Sequence, residues 1–317
     1  MPRLKKIRAC LILLVAAGLW ETPSLQLAAR PTPNSSAGQT AGSHRKWEPA
    51  LLYGILTSPD PLAGHLLYRA TFAAGPAVVP QLEAALKDDR TASFAARSLA
   101  YVGGRQAFSI LAKLVNDPRN LDLRRFYYGA LGEENDPRAT AILLDKINNS
   151  DHEPDRSVTQ DALLALTVRS NAALAAHLRQ LSQDVTDPVI QDDIQNAADI
   201  IEGRARYLAQ HPKLPTGGSV AQAIHTYFLP ALEGPPNSTS IQTHTAVPAV
   251  KERIVSQTFS PNQRRALVHV VFETPQALAN YEIVVRKVGG AWKVASVWLG
   301  SEARRALSAR RPLSAQP

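Results

Sequence analysis

Between residues 76 and 211, apolar positions fall at helical spacing, and the pattern repeats roughly every 31 to 36 residues. The clearest copy opens at Asp117-Pro118 and continues through Leu123, Phe126, Tyr127, Ala130 and Leu131, at i, i+3, i+4, i+7 and i+8. A helix of 3.6 residues per turn places all five on one face. Leu99, Leu131, Leu166 and Ile201 hold equivalent positions 32, 35 and 35 residues apart. The helix before each carries its own stripe: Val78/Leu82/Leu86, Phe108/Leu111/Val115, Ala139/Ile142/Leu143/Ile147 and Leu174/Leu178/Leu181. Two amphipathic helices per period predict a stacked solenoid whose units bury their faces against their neighbours. About five pairs are expected, at 47–74, 76–103, 105–134, 137–170 and 171–209. Asp-Pro dipeptides at residues 60, 117, 136 and 187 give four helices an N-cap side chain and a proline in the first turn. Proline costs little there because that N–H has no intrahelical partner.

Lys213 to Ser219, with Pro215, Gly217 and Gly218, closes the helical region by composition. Beyond it one more helix is expected, Val220 to Leu232, with Ala221, Ile224, Phe228 and Leu232 on one face. The period then changes from 3.6 to 2. Four strands are expected at Val250–Phe259, Arg264–Thr274, Leu278–Val288 and Ala291–Gly300. Gly289-Gly290 suits a two-residue hairpin turn, since glycine tolerates the positive φ that such turns need. A regular ladder from that turn sets Val285 opposite Val294, Ile283 opposite Ser296 and Tyr281 opposite Trp298. One face then carries Tyr281, Ile283, Val285, Trp292, Val294 and Trp298; the other carries Glu282, Arg286 and Lys293. The expected fold is an α-solenoid of about five helix pairs followed by a small α+β domain, one helix plus an antiparallel four-stranded meander.

The termini change the reading of the charge. Arg3, Lys5, Lys6 and Arg8 precede a mostly apolar run from Ala9 to Trp20 that Glu21 ends. This order is that of a secretory signal peptide, assigned to residues 1–29, and the run is short for a bilayer span of about 20 residues. Small residues at Ala16/Gly18 and at Ala28/Ala29 offer two places for cleavage; an uncleaved anchor is the other outcome. Loss of residues 1–29 lowers the net charge from +8 to +5, so part of the basicity is a targeting device. Residues 30–46 are a disordered linker rich in Pro, Ser and Gly, and 306–317 a disordered basic tail. The helical repeats occupy 47–211 and the α+β domain 216–305. The chain is thus expected in the periplasm or secreted, with no stable membrane span once the signal is removed. The remaining positive charge is spread too thinly for a nucleic-acid surface, so no nucleic acid is expected. The only cysteine, Cys10, lies in the leader, which excludes disulfides and catalytic thiols from the body.

Asp117, Leu123-Arg124 and Ala130-Leu131-Gly132 resemble the HEAT-type repeat, especially the short variety related to phycobilisome-lyase repeats, in which an aspartate turn precedes a Val/Leu-Arg pair and an Ala-Leu-Gly helix end. Asp88-Asp89, Ala95-Ala96, Leu99 and Gly103 keep the frame without the arginine; the fourth and fifth pairs lose the Leu-Gly ending. The resemblance implies a scaffold or interaction surface. Tyr281-Glu282-Ile283-Val284-Val285 and Gly290-Ala291-Trp292-Lys293-Val294 are similar to the last two strands of nuclear transport factor 2-like folds, and one helix with a meander is also similar to cystatin-like folds.

No His-Glu-x-x-His, phosphate-binding glycine loop or Gly-x-Ser-x-Gly turn is present, and no catalytic, cofactor-binding or metal residue is assigned. Asp151-His152-Glu153-Pro154-Asp155 reads as a solvated turn, Asp192-Asp193 and Asp199/Glu202 as solvated surface, and His177 as the outer edge of its helix. The expected function is that of an exported, non-enzymatic scaffold for a protein partner, Arg286 and Lys293 forming a contact face. The alternative is a small-ligand-binding, or catalytic, C-terminal domain whose pocket would be lined by His225, His269, Tyr281 and Trp298, with the repeats as its mount.

Overall fold

A computed structural model of the protein describes residues 61–134, 136–169, 171–212, 217–233, 251–273 and 277–304. The expected leader, linker, first helix of the first pair and basic tail fall outside these residues. The first described helix is α1 (Pro61–Ala74), followed by a 3-10 turn (Gly75–Val78). Next come α2 (Val79–Ala85) and α3 (Asp89–Val102), then α4 (Gly104–Leu114) and α5 (Arg124–Ala130). The helices α6 (Pro137–Asn148) and α7 (Arg156–Thr167) form the next pair, and α8 (Ala172–Asp184) and α9 (Pro188–Gln210) the last. The pairing follows the sequence pattern, and its register residues Leu99, Leu131, Leu166 and Ile201 are 0–1% exposed.

Local chemistry sets the helix starts. The carboxylates of Asp88, Asp117, Asp136, Asp155 and Asp187 each accept a hydrogen bond from the backbone N–H two residues on, and the Asn171 side chain does the same. The helix expected to run on from Asp117-Pro118 instead begins with 3-10 turns over Pro118–Leu123, broken at Asn120 (φ −126°, ψ 28°), before α5 starts. The predicted stripe survives this break: Leu123, Phe126, Tyr127, Ala130 and Leu131 are all buried.

After α9 the chain forms α10 (Val220–Glu233) and strands β1 (Lys251–Phe259), β2 (Arg265–Glu273), β3 (Ala277–Val288) and β4 (Ala291–Arg304). The strands make one antiparallel meander in sequence order. Gly289 and Gly290 take φ 57° and 85°, as the hairpin turn requires. Pairing runs as expected through Val288↔Ala291, Arg286↔Lys293 and Val285↔Val294, and then slips: Val284 meets Ser296, Ile283 meets Val297 and Glu282 meets Trp298. Ala295 is the extra residue of a β-bulge, which turns the β4 side chains from Ser296 to Leu299 to the opposite face before a second shift, between Asn280 and Tyr281, changes the register again. Trp298 therefore leaves the face of Tyr281, Ile283 and Val285, contrary to the regular ladder.

Both sheet faces are covered. Val220, Ile224 and Phe228 of α10 pack on Val268, Val270, Phe272, Tyr281, Ile283 and Val285. Phe228 lies 4.6 Å from Phe272 and 5.9 Å from Tyr281 between ring centroids. Val220 takes the buried position that the pattern gave to Ala221, which is exposed. On the opposite face, Leu267, Val284, Ala295 and Trp298 join the apolar core of the repeats. That polar-looking face, expected to be open to solvent or a partner, is seated on the second helices of the pairs.

The seat is specific. Trp298 is 3% exposed and lies against Tyr101 (5.8 Å, 85°) and Phe126 (6.3 Å). A Cβ at Gly129 would overlap the Trp298 ring, so α5 and β4 approach as closely as they do because residue 129 has no side chain. Arg265 reaches from β2 to the end of α3, donating to the carbonyls of Val102 (2.5 Å) and Tyr101 (2.8 Å) and to the Glu133 carboxylate (2.6 Å). Those carbonyls are ones a helix C-terminus leaves without intrahelical partners. Gly103 follows at φ 61°, and a side chain there would collide with the same guanidinium. At the other end, Arg204 of α9 donates to Thr167 O and lies 3.7 Å from the Tyr227 ring centroid, joining α7, α9 and α10.

Candidate functional site between the repeats and the sheet

His269 on β2 and Glu282 on β3 are cross-strand partners on the sheet face turned to the repeats. Above them α1 brings His65, whose Nδ1 lies 3.0 Å from Glu282 Oε1. The imidazoles of His65 and His269 stack at 5.0 Å with 10° between their planes. His269 Nε2 lies 3.2 Å from Asn280 Oδ1; donation to that carbonyl oxygen fixes the tautomer in which Nδ1 keeps its lone pair. The Glu282 side chain is 7% exposed and that of His65 42%, so the cluster is buried on the sheet side and open on the helix side. One turn along α1, Arg69 Nε donates to Thr258 Oγ1 on β1 at 2.8 Å, holding the helix in register with the sheet.

Behind the cluster lies a second polar layer contributed by the repeats. Arg97 of α3 donates to the Tyr101 hydroxyl at 2.5 Å and sits 5.4 Å from the ring centroids of both Tyr68 and Tyr101. Burial pushes both tyrosine hydroxyls up, against the pull of Arg97, and the negative charge of Glu282 adds to the rise. Burial works against the Arg97 charge, but the two tyrosines and Glu282 outweigh it and hold the guanidinium protonated. Arg125 Nε lies 3.2 Å from Asp161 Oδ2 on α7. Burial nonetheless lifts the Asp161 carboxyl to about 6, with Arg125 and Arg97 pulling the other way. These shifted ionisations gather where the sheet meets the repeats.

The residues proposed from sequence as one pocket do not assemble. His225 stands on α10 beside the Glu252 carboxylate at 2.9 Å, Tyr281 is packed under α10, and His269 and Trp298 face the repeats. Arg286 and Lys293 are opposite one another as expected, but their face has an acidic neighbour within the chain. Burial raises the Glu133 carboxyl, and Arg265 and Arg286 act to lower it. No sequence pattern marks His65, and Glu282, expected on the face away from the apolar one, lies there but is covered by α1.

Asp151-His152-Glu153-Pro154-Asp155 is likewise more than a solvated turn. Glu153 is buried and bonded to both Arg124 and Lys146, Asp151 accepts from the Thr186 N–H at 3.0 Å, and Asp155 caps α7. Asp199 and Glu202 share Arg179 on the surface, and His177 is exposed, as expected. Asp193 departs from expectation: it is 2% exposed and accepts from Gln160 Nε2 at 2.9 Å. Burial raises its carboxyl to about 6, with Asp192 and Asp187 adding to the rise. An acid whose folded pKa exceeds its unfolded value of about 4 binds more protons when folded, so its contribution to stability falls as pH rises from about 4 through 6. Asp193→Asn keeps the acceptor and removes the charge. It should stabilise the protein by about 2 kcal/mol at pH 7.5, a gain that fades towards pH 4 in thermal melts.

The fold defines a helical-repeat body with an antiparallel sheet and helix built onto it. Residues 76–167 match the family of HEAT repeats. No curated protein and no solved structure matches the chain. Among the described residues no helix is long and apolar enough to cross a membrane.

Proposed function

We propose that the protein is an exported, non-enzymatic scaffold whose repeats hold a protein partner, with the C-terminal sheet as a fixed part of the same body. HEAT repeats imply protein binding in general. The observation that carries the finer reading is the seating of the sheet on α3, α5 and α7 through Trp298, Arg265 and Val284. A sheet fixed there occupies the second helices, and the partner's footprint falls on the first helices, where Lys113 and His177 are exposed. Export rests on the charge order of residues 1–29. The aspartate turn and Leu123-Arg124 support the short, lyase-related variety of repeat; α10 on a four-stranded meander supports the likeness to nuclear transport factor 2-like and cystatin-like folds.

A photo-reactive residue at Lys113 or His177 in the full chain, expressed in its native cell, tests both parts at once. One recurrent protein adduct, on a chain whose mature mass begins near Leu19 or Arg30, is the expected result. Cytoplasmic chain retaining Met1 would remove export from the reading. Adducts no different from those of free solvent-exposed controls would remove the scaffold.

A further inference from the structure

Helix α1 and the neighbouring strands β2 and β3, more than two hundred residues further along the chain, converge at His65, His269 and Glu282, and their ligand atoms all lie within 4.8 Å of one another. We propose that these three side chains bind one divalent transition-metal ion of the zinc class, leaving a fourth position for water. The donor set decides the class. Two imidazoles and one carboxylate suit zinc and its borderline neighbours, whereas calcium and magnesium call for oxygen ligands throughout. The scaffold favours it too. His269 and Glu282 are fixed as a cross-strand pair, and Asn280 orients His269 through its other ring nitrogen, the support that metal-bound histidines ordinarily have.

The present geometry is that of a closed hydrogen bond, not of a filled site. Parallel imidazole planes keep their lone pairs in separate planes, so one ring must turn about its Cβ–Cγ bond. That torsion is broad, and His65 has the open side on which to turn. Tetrahedral zinc would draw the donors to about 3.3 Å apart, exchanging the His65–Glu282 hydrogen bond for two metal bonds. Arg97 is the opposing charge. Its guanidinium is already engaged by the Tyr101 hydroxyl and two ring faces, and Asp161 answers part of its field. The open fourth position follows from the exposure of His65. Bound there, the ion would clasp α1 to β2 and β3, residues that lie 217 positions apart at the His65–Glu282 contact.

Calorimetry with Zn²⁺ on the untagged full chain, with Co²⁺ absorption as a second readout, tests the site. One ion per chain is expected, together with a rise in melting temperature on addition of Zn²⁺. His65→Ala, His269→Ala and Glu282→Gln should each weaken binding by at least about 100-fold, beyond the loss usual for supporting residues. His225→Ala, which removes the histidine paired with Glu252 on another face, should leave binding unchanged. His65→Ala is the decisive variant, because its side chain is partly exposed and the fold, checked by circular dichroism, should survive its loss. Absence of stoichiometric binding, or binding undiminished in His65→Ala, would overturn the proposal.

Discussion

The full chain carrying Trp298→Ala should unfold about 3–5 kcal/mol more easily than the parent, and the loss should reach the repeats as well as the sheet. Trp298 is buried in the core that the sheet shares with the repeats, edge-on to Tyr101 and over Gly129. Truncation removes its apolar contacts from both layers and leaves a cavity at their junction. Part of that cavity would be lined by the Ser296 hydroxyl, which loses the indole N–H now donated to it at 3.1 Å. Urea unfolding measures the loss. Hydrogen exchange in α5 and β4 shows where it falls. Faster exchange in both elements is expected; a change confined to β4 would mean that the sheet is held independently. Gly129→Ala approaches the same contact from the other side, where the added methyl must displace the ring, and it should loosen the same two elements.

The second large effect is expected at Glu153. Its carboxylate is 1% exposed and receives both Arg124 and Lys146, whose side chains are each 14% exposed. Replacing a buried ion pair with matched apolar groups can be neutral, but removing only one member strands the rest. Glu153→Ala strands two cations at once and should cost about 3–5 kcal/mol, a loss that added salt restores poorly. The exposed pair Asp136–Arg138 is the contrast. Asp136→Asn keeps the helix cap and loses only a solvated ion pair, so the unfolding midpoint should hardly move. Comparable losses for the two variants in urea titrations would contradict the buried role of Glu153.

These contrasts show which features of the fold were legible in the sequence. The helix pairs were, because burial at Leu99, Leu131, Leu166 and Ile201 repeats with a period that local spacing alone reveals. So was the Gly289-Gly290 turn, whose positive φ demands glycine. The bulge at Ala295 was not: no turn residue or proline marks it, and the need for it arises only when Trp298 must meet Gly129. Glu153 and Asp193 escaped for a related reason. Each lies among charged or polar neighbours that read as surface, and a partner that encloses it, Arg124 for Glu153 and Gln160 for Asp193, comes from the adjacent repeat. The candidate site was the least legible of all. His269 was noted, but its pairing with Glu282 depends on the β2–β3 register, and His65 lies more than two hundred residues upstream of both.

The Arg265 anchor has a consequence for how the chain finds its fold. An isolated repeat array gains nearly all its contacts between near neighbours, so it can start folding anywhere and grow outwards. Arg265 instead joins strand β2 to Val102, Tyr101 and Glu133, across 163, 164 and 132 residues of chain. Closing loops of that length costs entropy before any of the contacts is made. The helices are therefore expected to assemble early and fast, and the docking of the sheet to be the slow, rate-setting event. Until it happens, the nascent protein carries an uncovered apolar seat on its second helices.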